Sequence, residues 1–401
     1  MTEAAPPSWR ARPGPVVGLC VLAYLPFALL GYGTDLDVAN VLRAGRSWVE
    51  DGEYQMSRGP GSTVYELSVG VLDRIGGSVL INLASVAFAA LALWSVFVLV
   101  SRDGGRWPAW SVLVLASNSW FWIASTSLGD FVWALGLLLA GAVLAQRHHR
   151  IAAGVLFGLS IGCRASSLLL VLAWLVAEVT GDPDERGPRR EVVRSAVVAL
   201  AVGVVCFIPP WLDAGRSFGF IDNELQFVGF GVHLGRWAVK NVALVGVLAG
   251  IVLLVGLPKL LAALQRWSAS TIVRFAVFAI VASELLYFRF PFKPVHLLPV
   301  MAATALLVGA SPRVTQRWVA VLVVAQLIGA LVGATVAAPD VEDAARSGRL
   351  DLSITAGPLL TDVRCRLDDR ELGPWTEPGS LEAVERAGAN SSCQNATWRG
   401  G

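Results

Sequence analysis

The stretch Val79–Ser101, VLINLASVAFAALALWSVFVLVS, decides the fold. No charged residue interrupts it between Arg74 and Arg102. As a helix, a segment of this length crosses the roughly 30 Å hydrocarbon core of a bilayer. A soluble core has no room for many such segments, because burial saturates while the surface must still be wetted. The rest of the chain repeats the pattern. Of its 401 residues, 55% are hydrophobic and 15% charged, against roughly 25% charged in ordinary soluble domains. Further apolar runs fall at 15–33, 109–127, 131–146, 150–162, 166–179, 195–211, 241–257, 271–288, 295–310 and 318–337. The chain therefore reads as an all-α, polytopic transmembrane helical bundle of about 11 spans. The runs 131–146 and 150–162 are short. They imply tilted, kinked or incompletely spanning helices whose ends are covered by protein.

Loop charges give the spans a direction. With the N-terminus in the cytoplasm, Arg10, Arg12, Arg102, Arg106, Arg147, Arg150, Arg186, Arg189, Arg190 and Arg194 all lie inside, followed by Lys259, Arg266, Arg313 and Arg317. Every second loop is then short and basic, as the positive-inside rule requires. An odd number of spans leaves the C-terminus outside. Three regions follow: a cytoplasmic N-terminus at 1–14, a transmembrane module at 15–337 with its first outer loop at 34–78, and an extracytoplasmic tail at 338–401. The first span carries no small-residue cleavage site and is expected to be retained. Within the outer loop, Val38 to Val49 places apolar residues at helical spacing and predicts a short helix on the membrane surface. The formal net charge of +2 gives no reason to expect nucleic acid as a partner. Of the five cysteines, Cys20, Cys163 and Cys206 sit in or beside apolar runs, whereas Cys365 and Cys393 in the tail are expected to form a disulfide if the tail is outside.

Candidate chemistry gathers on the outer side. Thr34-Asp35-Leu36-Asp37 follows the first span directly. Either of its carboxylates can act as a general base, or both can hold Mg²⁺ or Mn²⁺. As a bare D-x-D it reads equally as a pair of solvated loop acids. Tyr54-Gln55-Met56-Ser57-Arg58-Gly59-Pro60-Gly61 follows, then Tyr65-Glu66. Its glycines and proline force a turn beside an arginine suited to a phosphate, although an Arg–Glu surface pair is the plainer reading. The stretch Phe288-Arg289-Phe290-Pro291-Phe292-Lys293-Pro294-Val295-His296 sets cations and a histidine among aromatics at an outer boundary, a seat for a lipid phosphate. Its cations also read as side chains snorkelling from a helix end. Asp130 and Arg164 stand at the outer ends of short spans, where an ionisable group is costly unless paired. They are placed to pair with each other. Asp222 and Glu224 read as loop acids.

In this order the motifs resemble the GT-C type polytopic membrane glycosyltransferases. They are the acidic pair closing the first span, Arg58-Gly59-Pro60-Gly61 in a long outer loop, Gly158-Leu159-Ser160-Ile161-Gly162-Cys163-Arg164-Ala165-Ser166, and Lys293-Pro294-Val295-His296-Leu297-Leu298-Pro299. The resemblance covers about residues 15–337. It implies inverting transfer of a sugar from a polyprenyl-phosphate-linked donor to a glycan, lipid or protein acceptor on the extracytoplasmic face of the cell membrane. In that scheme Asp35 or Asp37 is the base. Arg58, Arg289, Lys293 and His296 hold the donor phosphate, with Tyr54, Asp130 and Arg164 in support. Metal dependence varies in such enzymes, so Mg²⁺ or Mn²⁺ at Asp35 and Asp37 stays an alternative. Two other readings compete. A secondary transporter would place ionisable groups near the bilayer midplane and show internal repeats, yet among the spans Glu284 is the main such group. A non-catalytic scaffold would keep the fold without the chemistry.

Overall fold

The structure is a computed structural model, described here over residues 12–35, 37–181, 189–217, 230–337 and 351–371. Arg10, Arg186, Asp222, Glu224 and Cys393 lie outside the described residues. Apolar runs become helices throughout: α1 (Pro13–Ala28), α2 (Val38–Asp51), α3 (Thr63–Arg102), α4 (Pro108–Ala116), α5 (Ser119–Thr126), α6 (Asp130–Gln146), α7 (Arg150–Cys163) and α8 (Ser167–Val179). They continue as α9 (Arg189–Asp213), α10 (Phe230–Val245), α11 (Val247–Leu261), α12 (Thr271–Arg289), α13 (Leu298–Ala310) and α14 (Gln316–Leu331). Among the described residues, four segments are each long and apolar enough to cross a membrane: α3, α9, α12, and α11 together with the turn that extends it to Arg266. Leu254, Val255 and Leu285 are 72%, 73% and 68% exposed, an apolar surface suited to hydrocarbon rather than water.

Helix α3 lies at the centre, against α1, α2, α4, α5, α6 and α7. It bends at Gly76 and Gly77, the latter at φ +56°, so that its first part belongs to the loop region and its second part is the long apolar span. Helix α2 buries Val38, Val41, Leu42 and Ala44 against that first part. The two backbones meet where Gly45 faces Gly70, and a Cβ on Gly70 would fall 2.1 Å from the Gly45 carbonyl oxygen. A second close approach joins α7 to α9. Gly154, Gly158 and Gly162, spaced one helical turn apart, meet Ser195, Val202 and Cys206, and a Cβ on Gly158 would lie 2.4 Å from Val202 Cβ. Small residues in a stripe let membrane helices approach to backbone contact.

The apolar runs differ from the observed elements in three places. The run 109–127 is two helices, α4 and α5, parted at Ser117 and Asn118, and α5 and α6 meet at a bend of 101°. The run 241–257 is interrupted at Gly246, at φ +79°. Side chains at the first break satisfy carbonyls at the second. Asn118 caps α5 through Phe121 N at 3.1 Å, and its Nδ2 donates to Leu244 O at 2.7 Å, while Trp120 Nε1 donates to Ala243 O at 2.9 Å. Irregular backbone at membrane depth is stable only with such partners.

The third difference is at the C-terminal end. Helix α14 stops at Leu331, and the last residues of the run form a strand, β1 (Val332–Ala337), paired antiparallel with β2 (Asp351–Ala356). The bundle is thus not wholly α-helical. Helix α15 (Pro358–Glu371) follows β2 and packs on α5 and α14, so the described part of the tail is joined to the bundle. Cys365 is buried on α15. Gly70→Val is expected to destabilise the purified full chain by about 1–3 kcal/mol, the usual cost of overpacking, because α2 must move off α3. Thermal unfolding in nanodiscs measures this.

Candidate active site

The turn after α1 carries Asp35 and Asp37 into a cluster of charges drawn from five parts of the chain. Asp35 accepts the backbone N–H of Asp37 at 3.0 Å and the ammonium of Lys293. Lys293 also donates to Asp37 Oδ2 at 3.1 Å, so its Nζ bridges the two carboxylates. Arg58 pairs with Asp37 and, through Nη2, with Asp130 Oδ2 at 2.6 Å. Asp130 is 1% exposed and binds Arg164 Nη1 at 2.8 Å through its other oxygen. Arg164 Nη2 then donates to His296 Nδ1 at 3.1 Å. A guanidinium can only donate, so Nδ1 is the acceptor and the ring proton sits on Nε2. The Arg164 guanidinium lies 3.9 Å from the Phe131 ring centroid, and His296 packs beside Phe131, Tyr287 and Phe292.

Each side chain is delivered by local structure. Asp130 opens α6 just after the sharp bend, and Arg164 ends α7 in extended backbone. Lys293 caps, and His296 lies within, a single turn of 3-10 helix, Pro294–Leu297, that enters α13. Arg58 sits on a turn closed by Gly61 N donating to Arg58 O at 2.7 Å, with Gly61 at φ +92°. Glu66, 1% exposed, holds the loop that bears this turn: it accepts from Tyr54 Oη at 2.6 Å, Ser57 Oγ at 2.5 Å and Ser57 N at 3.0 Å. Behind it, Asp73 takes Tyr32 Oη at 2.5 Å and Arg46 Nε at 2.7 Å, tying α2 and α3 to the end of α1.

The structure thus gathers Asp35, Asp37, Arg58, Asp130, Arg164, Lys293 and His296, with Tyr54 in the loop that supports Arg58. Arg289 is exposed, with its guanidinium 4.6 Å from the Phe290 ring centroid. Glu284, inside α12, accepts from Trp237 Nε1 at 2.7 Å and Asn241 Nδ2 at 3.2 Å, which fastens α10 to α12. The pairings of Glu66, Ser62 and Asp73 were not legible as part of a site. Ser62 Oγ reaches Asp130 at 3.2 Å across 68 residues of chain. Among the described residues no three His, Cys, Asp or Glu side chains gather as a metal-ligand set.

Burial alone would raise the Asp37 carboxyl, but Arg58 and Lys293 outweigh it and hold the group down to about 2. The sign follows. Against an ordinary value of 3.8 in the unfolded chain, the stability this provides is complete above 3.8 and is lost as pH falls toward 2.

The fold that carries this charge cluster, a bundle of short and broken helices, has counterparts among solved structures. Two solved structures share it. ArnT from Cupriavidus metallidurans bound to undecaprenyl phosphate superposes with a TM-score of 0.58 at 16% identity, covering 98% of this chain and 78% of that one. The same protein in the apo state gives 0.55 at 15% identity, over 95% and 76%. No family model and no curated protein sequence matches the chain.

Asp130→Asn leaves Arg58 and Arg164 without their shared anion and is expected to cost about 3 kcal/mol or more, as for other broken buried pairs. Adding Arg164→Met should recover part of that loss in thermal unfolding. Lys293→Met should move the acid limb of stability, scanned between about pH 2 and 5, to higher pH.

Proposed function

We propose that the chain transfers a sugar from a polyprenyl-phosphate-linked donor to an acceptor hydroxyl at the extracytoplasmic face of the cell membrane, with inversion at the anomeric carbon. The observation that carries this reading is the placement of Lys293 and Arg58 directly on Asp35 and Asp37, beside Arg164 and His296. Cations that can receive a phosphate thereby adjoin carboxylates that can receive a proton. The shared fold with ArnT bound to undecaprenyl phosphate supports a donor of that chemical class.

The donor's isoprenoid tail stays in the bilayer while its phosphate competes with the carboxylates for Lys293 and Arg58. Asp37 is the more open acid, its side chain 27% exposed against 5% for Asp35. As the phosphate comes to share Lys293 and Arg58 with it, the Asp37 carboxyl rises back toward its ordinary range and becomes a usable base. The acceptor oxygen then attacks the anomeric carbon and its proton passes to Asp37. The bond from that carbon to the phosphate oxygen breaks, and its electron pair leaves with polyprenyl phosphate. Lys293 and Arg58 stabilise the charge that gathers there. Asp35 keeps Lys293 and the Asp37 N–H in place.

The same two carboxylates are the candidate ligands for Mg²⁺ or Mn²⁺. The position between them is taken by the Lys293 ammonium, a donor set that does not suit a divalent cation, and no step here runs through one. On this reading the tail is outside and Cys365 pairs with Cys393.

Asp37→Asn is expected to lower transfer from labelled polyprenyl-phosphate sugars by about 100-fold or more, with Asp35→Asn less severe. Full transfer by both variants would sink the base assignment. Transfer should survive EDTA. Thiol labelling should reach both cysteines only after reduction, Cys393 from outside intact cells and the buried Cys365 once the chain is also unfolded.

A further inference from the structure

We infer that helix α15 is a positioning element of the outer site, in which the Asp362–Arg366 pair holds both chain segments that deliver the site's acids. The inference rests on the reading of that site as the catalytic one. Asp362 and Arg366 sit one turn apart on α15, joined at 2.5 Å, with side chains only 1% and 2% exposed. Their remaining bonds leave the helix. Asp362 Oδ1 accepts from Thr34 Oγ1 at 2.8 Å. Thr34 is itself buried and immediately precedes Asp35. Arg366 Nη1 donates to Thr126 O at 2.8 Å and to Phe27 O at 3.3 Å.

Those carbonyls are informative by position. Phe27 lies in the last turn of α1, from which the chain runs to Thr34 and Asp35. Thr126 ends α5, from which the chain runs to Asp130. Between these two segments Leu128 N donates to Tyr32 O at 2.7 Å. One ion pair therefore fixes the exits of two helices and the residue before the first acid. Asp35 in turn fixes Lys293 and the Asp37 N–H, and Asp130 fixes both Arg58 and Arg164. A buried ion pair is a costly way to staple a tail. Its partners here are the two stretches whose small displacement would misplace base and phosphate-binding cations together.

Asp362→Asn strips Arg366 of its counter-ion and is expected to destabilise the whole chain, so Thr34→Val carries the test. Valine matches threonine in size and removes only the hydroxyl that reaches Asp362, while Thr34→Ser keeps it. The full-length protein in nanodiscs is assayed with undecaprenyl-phosphate-linked labelled pentose and hexose donors. Hydrogen exchange is followed in the peptide spanning the 34–38 turn. Thr34→Val is expected to lower kcat about tenfold with donor KM changed less than about threefold, to keep the thermal midpoint near wild type, and to speed exchange at the Asp37 amide. Thr34→Ser should restore both kcat and exchange. Unchanged exchange in Thr34→Val overturns the inference, and so does faster exchange with unchanged kcat. An equal loss in Thr34→Ser overturns it as well. A wild-type protein that transfers neither sugar sinks the functional reading instead, and the exchange comparison still decides whether α15 holds the turn.

Discussion

A single carboxylate, Asp130, stands between two guanidiniums in a part of the bundle almost closed to water. Left alone, any one of the three groups would be expensive to bury; together they satisfy one another. The consequence is architectural. Arg58 comes from the loop before α3 and Arg164 from the end of α7, so their common anion joins the long loop to the short middle helices. Each arginine then reaches onward, Arg58 to Asp37 and Arg164 to His296, and Lys293 closes the chain back onto Asp35 and Asp37. The order of charge along this chain alternates without a break. Removing an inner member, Asp130, Arg58, Asp37 or Lys293, leaves its neighbours facing like charge.

The membrane sets the second constraint. Backbone groups at bilayer depth need partners inside the protein, and the broken helices of this chain find them in pairs. The carbonyls at the gap between α10 and α11 are satisfied from the gap between α4 and α5, where Asn118 and Trp120 donate to Leu244 O and Ala243 O. Tyr24 Oη adds a bond to Ala116 O at 2.7 Å, and Asn82 Nδ2 closes the end of α1 at Ala28 O and Gly31 O. Breaks near the site are thereby made rigid, so the acids they deliver hold fixed directions.

Apolar periodicity reveals the helices because the bilayer demands long charge-free runs, and nearly every run recovered its helix. The breaks were not legible. Asn118 looks like one polar residue in an apolar stretch, and its partner carbonyl is 126 residues away. The clustered residues of the candidate site were legible because an ionisable group beside hydrocarbon stands out, as Asp35, Asp37, Arg58, Asp130, Arg164 and Lys293 all do. Glu66 resembled an ordinary loop acid because only the folded loop brings Ser57 and Tyr54 to it. Asp362 and Arg366 lie in a polar tail where charge is unremarkable, and Thr34 is 328 residues from Asp362. The final strand pairing of β1 was hidden for a similar reason, since an apolar run ending in β-branched residues suits either a helix or a strand.

In the proposed transfer the cluster's charge has a mechanistic use. Its acids Asp35, Asp37 and Asp130 balance Lys293, Arg58 and Arg164, and His296 accepts a bond without adding charge. A donor phosphodiester brings one negative charge, and the departing phosphate monoester carries a second. A base that gains the acceptor's proton in the same step loses one. The total at the site therefore stays constant while the charge moves from Asp37 to the phosphate, across the cations already bound between them. Little reorganisation of the surroundings is needed, because Lys293 touches Asp37 before the reaction and would touch the phosphate during it. The close contact between cation and base, which at rest suppresses the base, is on this argument what lets the negative charge pass from one to the other at low cost.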